Sequence, residues 1–135
     1  MTYGIVTAVG GTDSYGIHNT ASSPVLTNIK VTASQGTSNY GLWNDSSSTT
    51  IQNSIINGSG GGTNDGIHNI ASSGSYTVKI DNSQVTGFTS TIYQDSHYTT
   101  QVGASQVIGA GVFGGTYTCV ASYNGNYIAL NSTCH

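Results

Sequence analysis

The stretch VTAVGGTDSYGIHNTASS at Val6–Ser23 recurs along the chain at a constant step of 25 positions. It returns as VTASQGTSNYGLWNDSSS at Val31–Ser48 and as INGSGGGTNDGIHNIASS at Ile56–Ser73, with no gap in the alignment, and more faintly as TIYQDSH at Thr91–His97. A unit this short has too few apolar residues to build its own core, so neighbouring units must cover its hydrophobic face. The repeat therefore predicts a solenoid of stacked coils.

Each unit is predicted to consist of short β-strands joined by turns. Apolar positions alternate with polar ones, as at Ile29 and Val31, and clusters of Gly, Ser and Asn separate these runs. No apolar stripe has the three-to-four spacing of a helix. Successive coils pair in parallel about 4.8 Å apart, and such crossovers are right-handed in nearly all proteins. The predicted fold is all-β: a right-handed parallel β-helix of about five coils.

Residues 25 positions apart are predicted to stack in columns along the axis. Three columns are apolar and are expected to point inward, and they contain Ile17, Leu42, Ile67 and Ile92, then Leu26 and Ile51, and lastly Val6, Val31 and Ile56. The third coil carries about four extra residues near Gly74–Thr77, after which Val78, Ile80 and Val85 take the strand positions. The next turn must then be shorter, because Ile92 still follows Ile67 at the same step as before.

A polar column lies two residues after the first apolar one and is predicted to form a structural ladder. It consists of Asn19, Asn44 and Asn69, followed by Gln94. Amide side chains stacked in register can hydrogen-bond to one another along the axis, as they do in cross-β assemblies. We expect a structural role for this column in preference to a catalytic one.

The position directly after the Ile/Leu column is expected to point outward, and it carries four ring-bearing residues: His18, Trp43, His68 and Tyr93. Rings spaced about 4.8 Å apart on an uncharged face could stack on sugar rings. The alternative is that they stiffen the sheet through cross-strand contacts. This row of residues, called the aromatic stripe below, is the candidate glycan-binding face.

The small number of charged residues argues against several functions. The chain has no Glu and no Arg, and its two Lys residues offer almost nothing to a phosphate backbone, so we expect no nucleic-acid binding. His18 and His68 are two coils apart, about 9.6 Å, which is too far for one zinc ion. The five Asp residues are scattered over different columns. No metal site and no cofactor are predicted.

Asp45 and Asp95 are the one acidic pair that shares a column, two coils apart. Hydrolysis by two carboxylates needs a separation of about 5 to 9.5 Å, and this pair could meet the upper end. Their position is a turn, however, and Thr20 and Ile70 occupy it in other coils. We therefore expect a protein that is not an enzyme, with a polysaccharide-cleaving site as the alternative.

Cys119 and Cys134 are the only cysteines, and they lie in a segment without repeats. A disulfide closing this loop would stabilise the fold by roughly 3 kcal/mol and would indicate an oxidising compartment. The alternative is two buried thiols in a reducing one. We expect the disulfide, with repeat coils over residues 1–115 and a non-repetitive C-terminal cap over residues 116–135.

The chain starts in the middle of a coil, which suggests a piece of a longer array. No run of apolar residues approaches the length of a membrane span, so no membrane insertion is expected, and MTYGIV lacks the pattern of a secretion signal. The first strand, Tyr3 to Val9, should present an unpaired edge. Stacking of further coils, a filament or a homotrimer formed through this edge or a lateral face is the expected self-association.

The segments YGIHNTASSPVLTNIKVTAS at Tyr15–Ser34 and YGLWNDSSSTTIQNSIINGS at Tyr40–Ser59 resemble the repeats of bacterial right-handed parallel β-helix repeat proteins. In those repeats a Tyr-Gly-Ile-Tyr-Asn turn is followed by Ser-Ser-Ser-Pro and a Thr-Asn-Val strand. TCVASYNGNYIALNSTC at Thr118–Cys134 resembles the ending of some of them. The resemblance implies a surface or secreted module of a larger adhesin-like or tail-fibre-like chain.

These observations predict a non-enzymatic, extracellular or cell-surface module that is structural or adhesive. Its partners would be further copies of itself or a surface glycan. The alternative is a β-helix that binds or cleaves carbohydrate through the aromatic stripe, with Asp45 and Asp95 as possible acids.

Overall fold

A computed structural model of the chain describes residues 4–135, and these residues form sixteen β-strands and no helix. Their bounds are β1 (Gly4–Val9), β2 (Asp13–Thr20), β3 (Val25–Thr27), β4 (Ile29–Ser34), β5 (Ser38–Asp45), β6 (Thr50–Gln52), β7 (Ile55–Ser59), β8 (Thr63–Ile70), β9 (Tyr76–Asp81), β10 (Gln84–Gly87), β11 (Ser90–Gln94), β12 (Tyr98–Gly103), β13 (Gln106–Gly109), β14 (Val112–Phe113), β15 (Thr116–Val120) and β16 (Tyr123–Asn124). The all-β prediction is confirmed.

The strands form three sheets that run along the molecule as the three sides of a solenoid. Sheet A has the order β1-β4-β7-β10-β13-β16, sheet B has the order β2-β5-β8-β11-β14, and sheet C has the order β3-β6-β9-β12-β15. Every pairing within these sheets is parallel. Three consecutive strands make one level, so β1 to β15 form five levels joined by four complete turns, and β16 adds a sixth strand to sheet A. The predicted parallel solenoid is confirmed.

The core consists of inward side chains that stack level upon level. Val31, Leu42, Ile51, Ile56, Ile67 and Ile92 are all fully buried. Val6, Ile17 and Leu26 from the first level pack against this core but are only partly buried, because β1, β2 and β3 have strand neighbours on one side alone among the described residues. The three predicted apolar columns are therefore confirmed.

The third level contains the predicted insertion. Ile51 pairs with Ile80, a step of 29 positions, whereas Ile67 pairs with Ile92 at the usual step of 25. The extra residues form an exposed loop between β8 and β9, and the turn between β10 and β11 contains only Phe88 and Thr89. An insertion that is compensated within one turn keeps the core columns aligned.

The levels then become shorter toward the C-terminus. In sheet A, Val85 pairs with Val107 at a step of 22 positions, and Val107 pairs with Asn124 at a step of 17. The step of 25 thus extends to the fourth level in sheet B but only to the third in sheet A and to the second in sheet C, and the sequence repeat fades where the levels shorten.

The corner between sheets C and A keeps one geometry at every level. The residue at the corner has a left-handed backbone with φ between 45° and 55°, and these residues are Asn28, Asn53, Asn82, Ala104 and Ala121. At the last four of these corners the next residue is a buried serine: Ser54, Ser83, Ser105 or Ser122. A short polar side chain such as Asn tolerates the left-handed conformation better than most residues do.

These serines form a hydrogen-bonded relay along the axis, called the serine ladder below. The backbone N–H of Ile29 donates to Ser54 Oγ at 3.2 Å, and the N–H of Ser54 donates to Ser83 Oγ at 3.1 Å. The same bond continues from Ser83 to Ser105 at 3.1 Å and from Ser105 to Ser122 at 3.3 Å. Each hydroxyl in turn donates to the carbonyl two residues before it. The ladder therefore satisfies buried polar groups through all five levels.

Cys119 and Cys134 form a disulfide with their Cα atoms 5.2 Å apart, as predicted. The last residues fold back on the final level, where the N–H of Leu130 donates to the Ser122 carbonyl and the N–H of Cys119 donates to the Ser132 carbonyl. β15 and β16 lie beyond residue 115 and still pair with sheets C and A.

The N-terminal edge predicted to start at Tyr3 is described only from Gly4 onward, and Tyr3 itself lies outside the described residues. From Gly4 to Val9 the edge strand β1 pairs with β4. None of the described residues belongs to a helix that is long and apolar enough to cross a membrane.

Candidate binding face on sheet B

Sheet B carries the aromatic stripe, and a glycine in each of its first three strands determines which side chains share that face. The ladder pairing is interrupted at Gly16, Gly41 and Gly66, although the register is unchanged across them, with Tyr15 opposite Tyr40 and Ile17 opposite Leu42. A Cβ on Gly66 would lie 2.6 Å from Val85 Cγ1 and 2.7 Å from the Thr91 carbonyl oxygen, so only glycine fits. The alternation of inward and outward side chains shifts at each glycine. The residue before the glycine and the second residue after it, such as Tyr15 and His18, therefore share the outer face.

The four predicted stripe residues lie in one row, and the structure stacks them against one another. Trp43 and His68 have ring centroids 4.2 Å apart and planes inclined by 11°, and His68 and Tyr93 have centroids 4.7 Å apart at 21°. His18 meets Trp43 edge-on at 6.2 Å. Trp43, His68 and Tyr93 therefore lie face to face along the solenoid axis, whereas the His18 ring is inclined by 74° to Trp43.

A second row of rings, Tyr15 and Tyr40, lies beside the stripe and was not singled out from the sequence. These two rings stack at 5.4 Å, Tyr15 also stacks on His18, and Tyr40 meets Trp43 edge-on at 4.7 Å. Burial and the nearby Asp13 carboxylate raise the pKa of Tyr15. The sequence signal for this second row is the repeated Tyr-Gly dipeptide. The alternation of side chains shifts at the glycine, and the tyrosine before it therefore lies beside the stripe.

This packing limits what the stripe offers to a ligand. A sugar ring stacks on a free aromatic face, but Trp43 is covered by His68 on one face and contacted by His18 on the other. The N-terminal half of the stripe therefore presents ring edges and stiffens the sheet. Tyr93, near the other end, is 38% exposed.

Asp65 takes the place that tyrosine has in the first two levels, and it pairs with His68. Tyr40 lies opposite Asp65 in the sheet, and Asp65 Oδ2 is 2.7 Å from His68 Nδ1. The Asp65 side chain is only 3% exposed, and its Oδ1 has no hydrogen-bond partner among the described residues. The sequence signal for this pair is the change from Tyr-Gly-Ile-His at Tyr15 to Asp-Gly-Ile-His at Asp65.

The amide column forms axial hydrogen bonds over its first three residues. Asn19 Nδ2 donates to Asn44 Oδ1 at 2.9 Å, and Asn44 Nδ2 donates to Asn69 Oδ1 at 2.7 Å. Gln94 lies in the same column, but its Nε2 donates to the Thr116 and Tyr98 carbonyls. Asn69 Nδ2 is left without a hydrogen-bond partner within residues 4–135. Gln94 thus bonds within its own level and to the following one, and not back to Asn69.

Asp45 and Asp95 are both engaged in corner hydrogen bonds. Asp95 accepts from the N–H of Ala71 at 2.6 Å through Oδ2 and from the N–H of His97 at 2.8 Å through Oδ1. Asp45 accepts from Ser46 Oγ at 3.0 Å. Within the described part of the chain, no three His, Cys, Asp or Glu side chains lie close enough to hold a metal ion.

Comparison of the chain with protein-family models, with curated proteins and with solved structures gave no match.

Proposed function

We propose that the protein is a non-enzymatic, extracellular structural or adhesive module, of the kind found in adhesin-like or tail-fibre-like bacterial surface chains. The observation that carries this proposal is the pair of axial relays. The amide column bonds three levels together and the serine ladder bonds all five. Buried neutral hydrogen bonds that cross from level to level stiffen the body along its length. Stiffness along one axis suits a spacer or stalk.

The extracellular location is supported by the disulfide. Disulfides persist in oxidising compartments and are rare in reducing ones. The Cys119–Cys134 bridge closes the one region where the strands are shortest and the repeat is absent.

Self-association through the first level is the second part of the proposal. β1, β2 and β3 are the outermost strands of their sheets among the described residues. Apolar side chains cluster at this end, where Ile5 is 74% exposed and Val25 is 66% exposed. An edge strand with unpaired backbone groups pairs readily with another chain, and a lysine on such an edge prevents it.

The test is light scattering over a range of protein concentrations. We expect oligomers that grow with concentration, and we expect Ile5→Lys to abolish them. Ile128→Lys is the matched control, because Ile128 is 61% exposed at the opposite end. A wild-type protein that stays monomeric at every concentration would contradict assembly through this edge.

A further inference from the structure

A cleft of about 380 Å³ opens on sheet B where the tyrosine row stops. Tyr15 and Tyr40 fill this position in the first two levels, whereas Asp65 and then Ser90 occupy it in the next two. Replacing two rings by short side chains leaves a hollow beside His68 and Tyr93. The cleft is thus a local departure from the repeat, and both His18 and Trp43 lie outside it.

One side of the cleft is aromatic and available to a ligand. Tyr93 and Phe113 occupy neighbouring positions on adjacent strands and are 38% and 45% exposed. Among the described residues, Tyr93 has a ring contact only with His68, and Phe113 has none. Unlike the rings at the N-terminal end of the stripe, these two leave apolar surface uncovered.

The lining of the cleft is mainly apolar, but its floor contains one buried and unsatisfied polar group. Asp65 Oδ1 is buried without a hydrogen-bond partner in residues 4–135, and a buried acceptor left unpaired costs about 1–3 kcal/mol. Asp65 Oδ2 contacts His68 Nδ1, which fixes the carboxylate in place. Ser90, Thr63 and Thr89 add neutral hydroxyl groups to the lining. The site therefore needs a ligand that donates hydrogen bonds.

We propose that this cleft binds a neutral pyranose, with a sugar hydroxyl donating to Asp65 Oδ1 and a C–H face of the ring lying against Tyr93 and Phe113. No Lys lines the cleft, so nothing there favours an anionic sugar. Several hydroxyl groups beside one carboxylate match the donors and acceptors of a sugar ring better than those of an alkylammonium ion. The site goes beyond the scaffold proposal and does not depend on it.

The experiment is protein-observed NMR of the folded domain with a panel of methyl glycosides of glucose, galactose, mannose and N-acetylglucosamine, and with tetramethylammonium as the competing ligand. We expect at least one glycoside to shift the resonances of Tyr93, Phe113 and His68. Tyr93→Ala and Asp65→Asn should each weaken its binding by about tenfold. Asp65→Asn is nearly isosteric and keeps the fold if Tyr93→Ala does not.

Phe88→Ala is the matched control for the aromatic side, because Phe88 is 65% exposed and does not line the cleft. It should leave glycoside binding unchanged. The proposal is overturned if no glycoside of the panel shifts the cleft resonances, if tetramethylammonium binds there and the glycosides do not, or if Phe88→Ala weakens binding as much as Tyr93→Ala.

Discussion

Asn44 shows how single neutral side chains hold this molecule together. It is fully buried, donates to Asn69 Oδ1, and accepts from Asn19 Nδ2 and from Thr49 Oγ1 at 2.7 Å. With a chain that is only 5% charged, amides and hydroxyls carry the polar contacts that ion pairs carry in other proteins. Each such group is buried together with its partners, so its removal leaves several unpaired.

Asn44→Ala should therefore lower the free energy of unfolding by about 2 kcal/mol, because the buried Asn69 and Thr49 and the half-buried Asn19 each lose a hydrogen bond. Thermal denaturation followed by circular dichroism measures the change. Asn126→Ala, at an exposed position near the C-terminus, is the control and should have little effect. Equal melting temperatures for the two variants would mean that the ladder does not stabilise the fold.

Tyr98 links two levels through its hydroxyl and makes stability depend on pH. It is buried, and its Oη accepts a hydrogen bond from the N–H of Ser47 at 3.0 Å. Ser47 belongs to the second level and Tyr98 to the fourth, and the level between them carries the inserted loop between β8 and β9. Burial raises the pKa of Tyr98 to about 12.

A raised pKa means that the folded state keeps the phenol proton where the unfolded state, with a pKa of about 10, loses it. The stabilisation is complete below pH of about 10 and is lost as the pH rises toward about 12. Denaturant unfolding across this range should show a steeper decline for the wild type than for Tyr98→Phe. Tyr127→Phe, at an exposed position, should keep the wild-type slope. Identical slopes for wild type and Tyr98→Phe would contradict the assignment.

At the scale of the strand, the glycine at which the side-chain alternation shifts determines which residues lie on the outer face of sheet B. Gly66 has contacts on its Cβ side that no side chain can share. The shift in side-chain alternation at Gly66 places Asp65 beside His68, three residues later on the same strand. One glycine thus sets both the packing of β8 and the chemistry of the cleft.

Gly66→Ala should destabilise the protein by about 1–3 kcal/mol, since the new methyl group would overlap Val85 and the Thr91 carbonyl. Gly62→Ala is the matched control, because its nearest contact is the Thr37 carbonyl oxygen at 3.5 Å. Chemical denaturation gives both values. A Gly66→Ala variant as stable as Gly62→Ala would show that the strand relaxes without cost.

The strands and core of the first three levels could be predicted from the sequence, because each position is repeated at a constant step. The aromatic stripe was also visible, but its orientation was not. The orientation of each ring depends on the residue that packs beside it, here Tyr15 or Tyr40. That neighbour is in turn set by the shift in side-chain alternation at the intervening glycine.

The serine ladder was missed for a different reason. Its members are separated by 29, 22 and 17 residues, so no fixed period aligns Ser54, Ser83, Ser105 and Ser122. The constant step of 25 does align Ser22 with Ser47, whose hydroxyl oxygens are 3.4 Å apart, but that column stops there because Ser72 lies in the exposed loop after β8. The sequence signal that could have revealed the ladder is the dipeptide Asn-Ser or Ala-Ser that follows each of the last four sheet C strands.

At the scale of the whole molecule, the two ends differ in how they are held. In a solenoid each level contacts only its neighbours, so unfolding starts from an end. The C-terminal end has the shortest strands, and the Cys119–Cys134 disulfide holds the tail against the last level. The bridge should therefore act mainly on that end.

Reduction of the disulfide should lower the free energy of unfolding by roughly 3 kcal/mol. Hydrogen exchange should show faster exchange in β15 and β16 and little change in β5 and β8. The Cys119→Ala/Cys134→Ala double variant should behave like the reduced protein. Uniformly faster exchange along the whole chain would contradict an effect confined to the end.

The serine ladder has a consequence for how such a chain can change over time. The bond from one level to the next is the same whether a turn contains 29 residues or 17. The alignment of one level with the next thus depends on the hydrogen bond at the corner, and not on the number of residues between successive corners. A gene encoding this fold can therefore gain or lose codons within a turn, as the insertion after Ile70 shows, while every later level stays aligned.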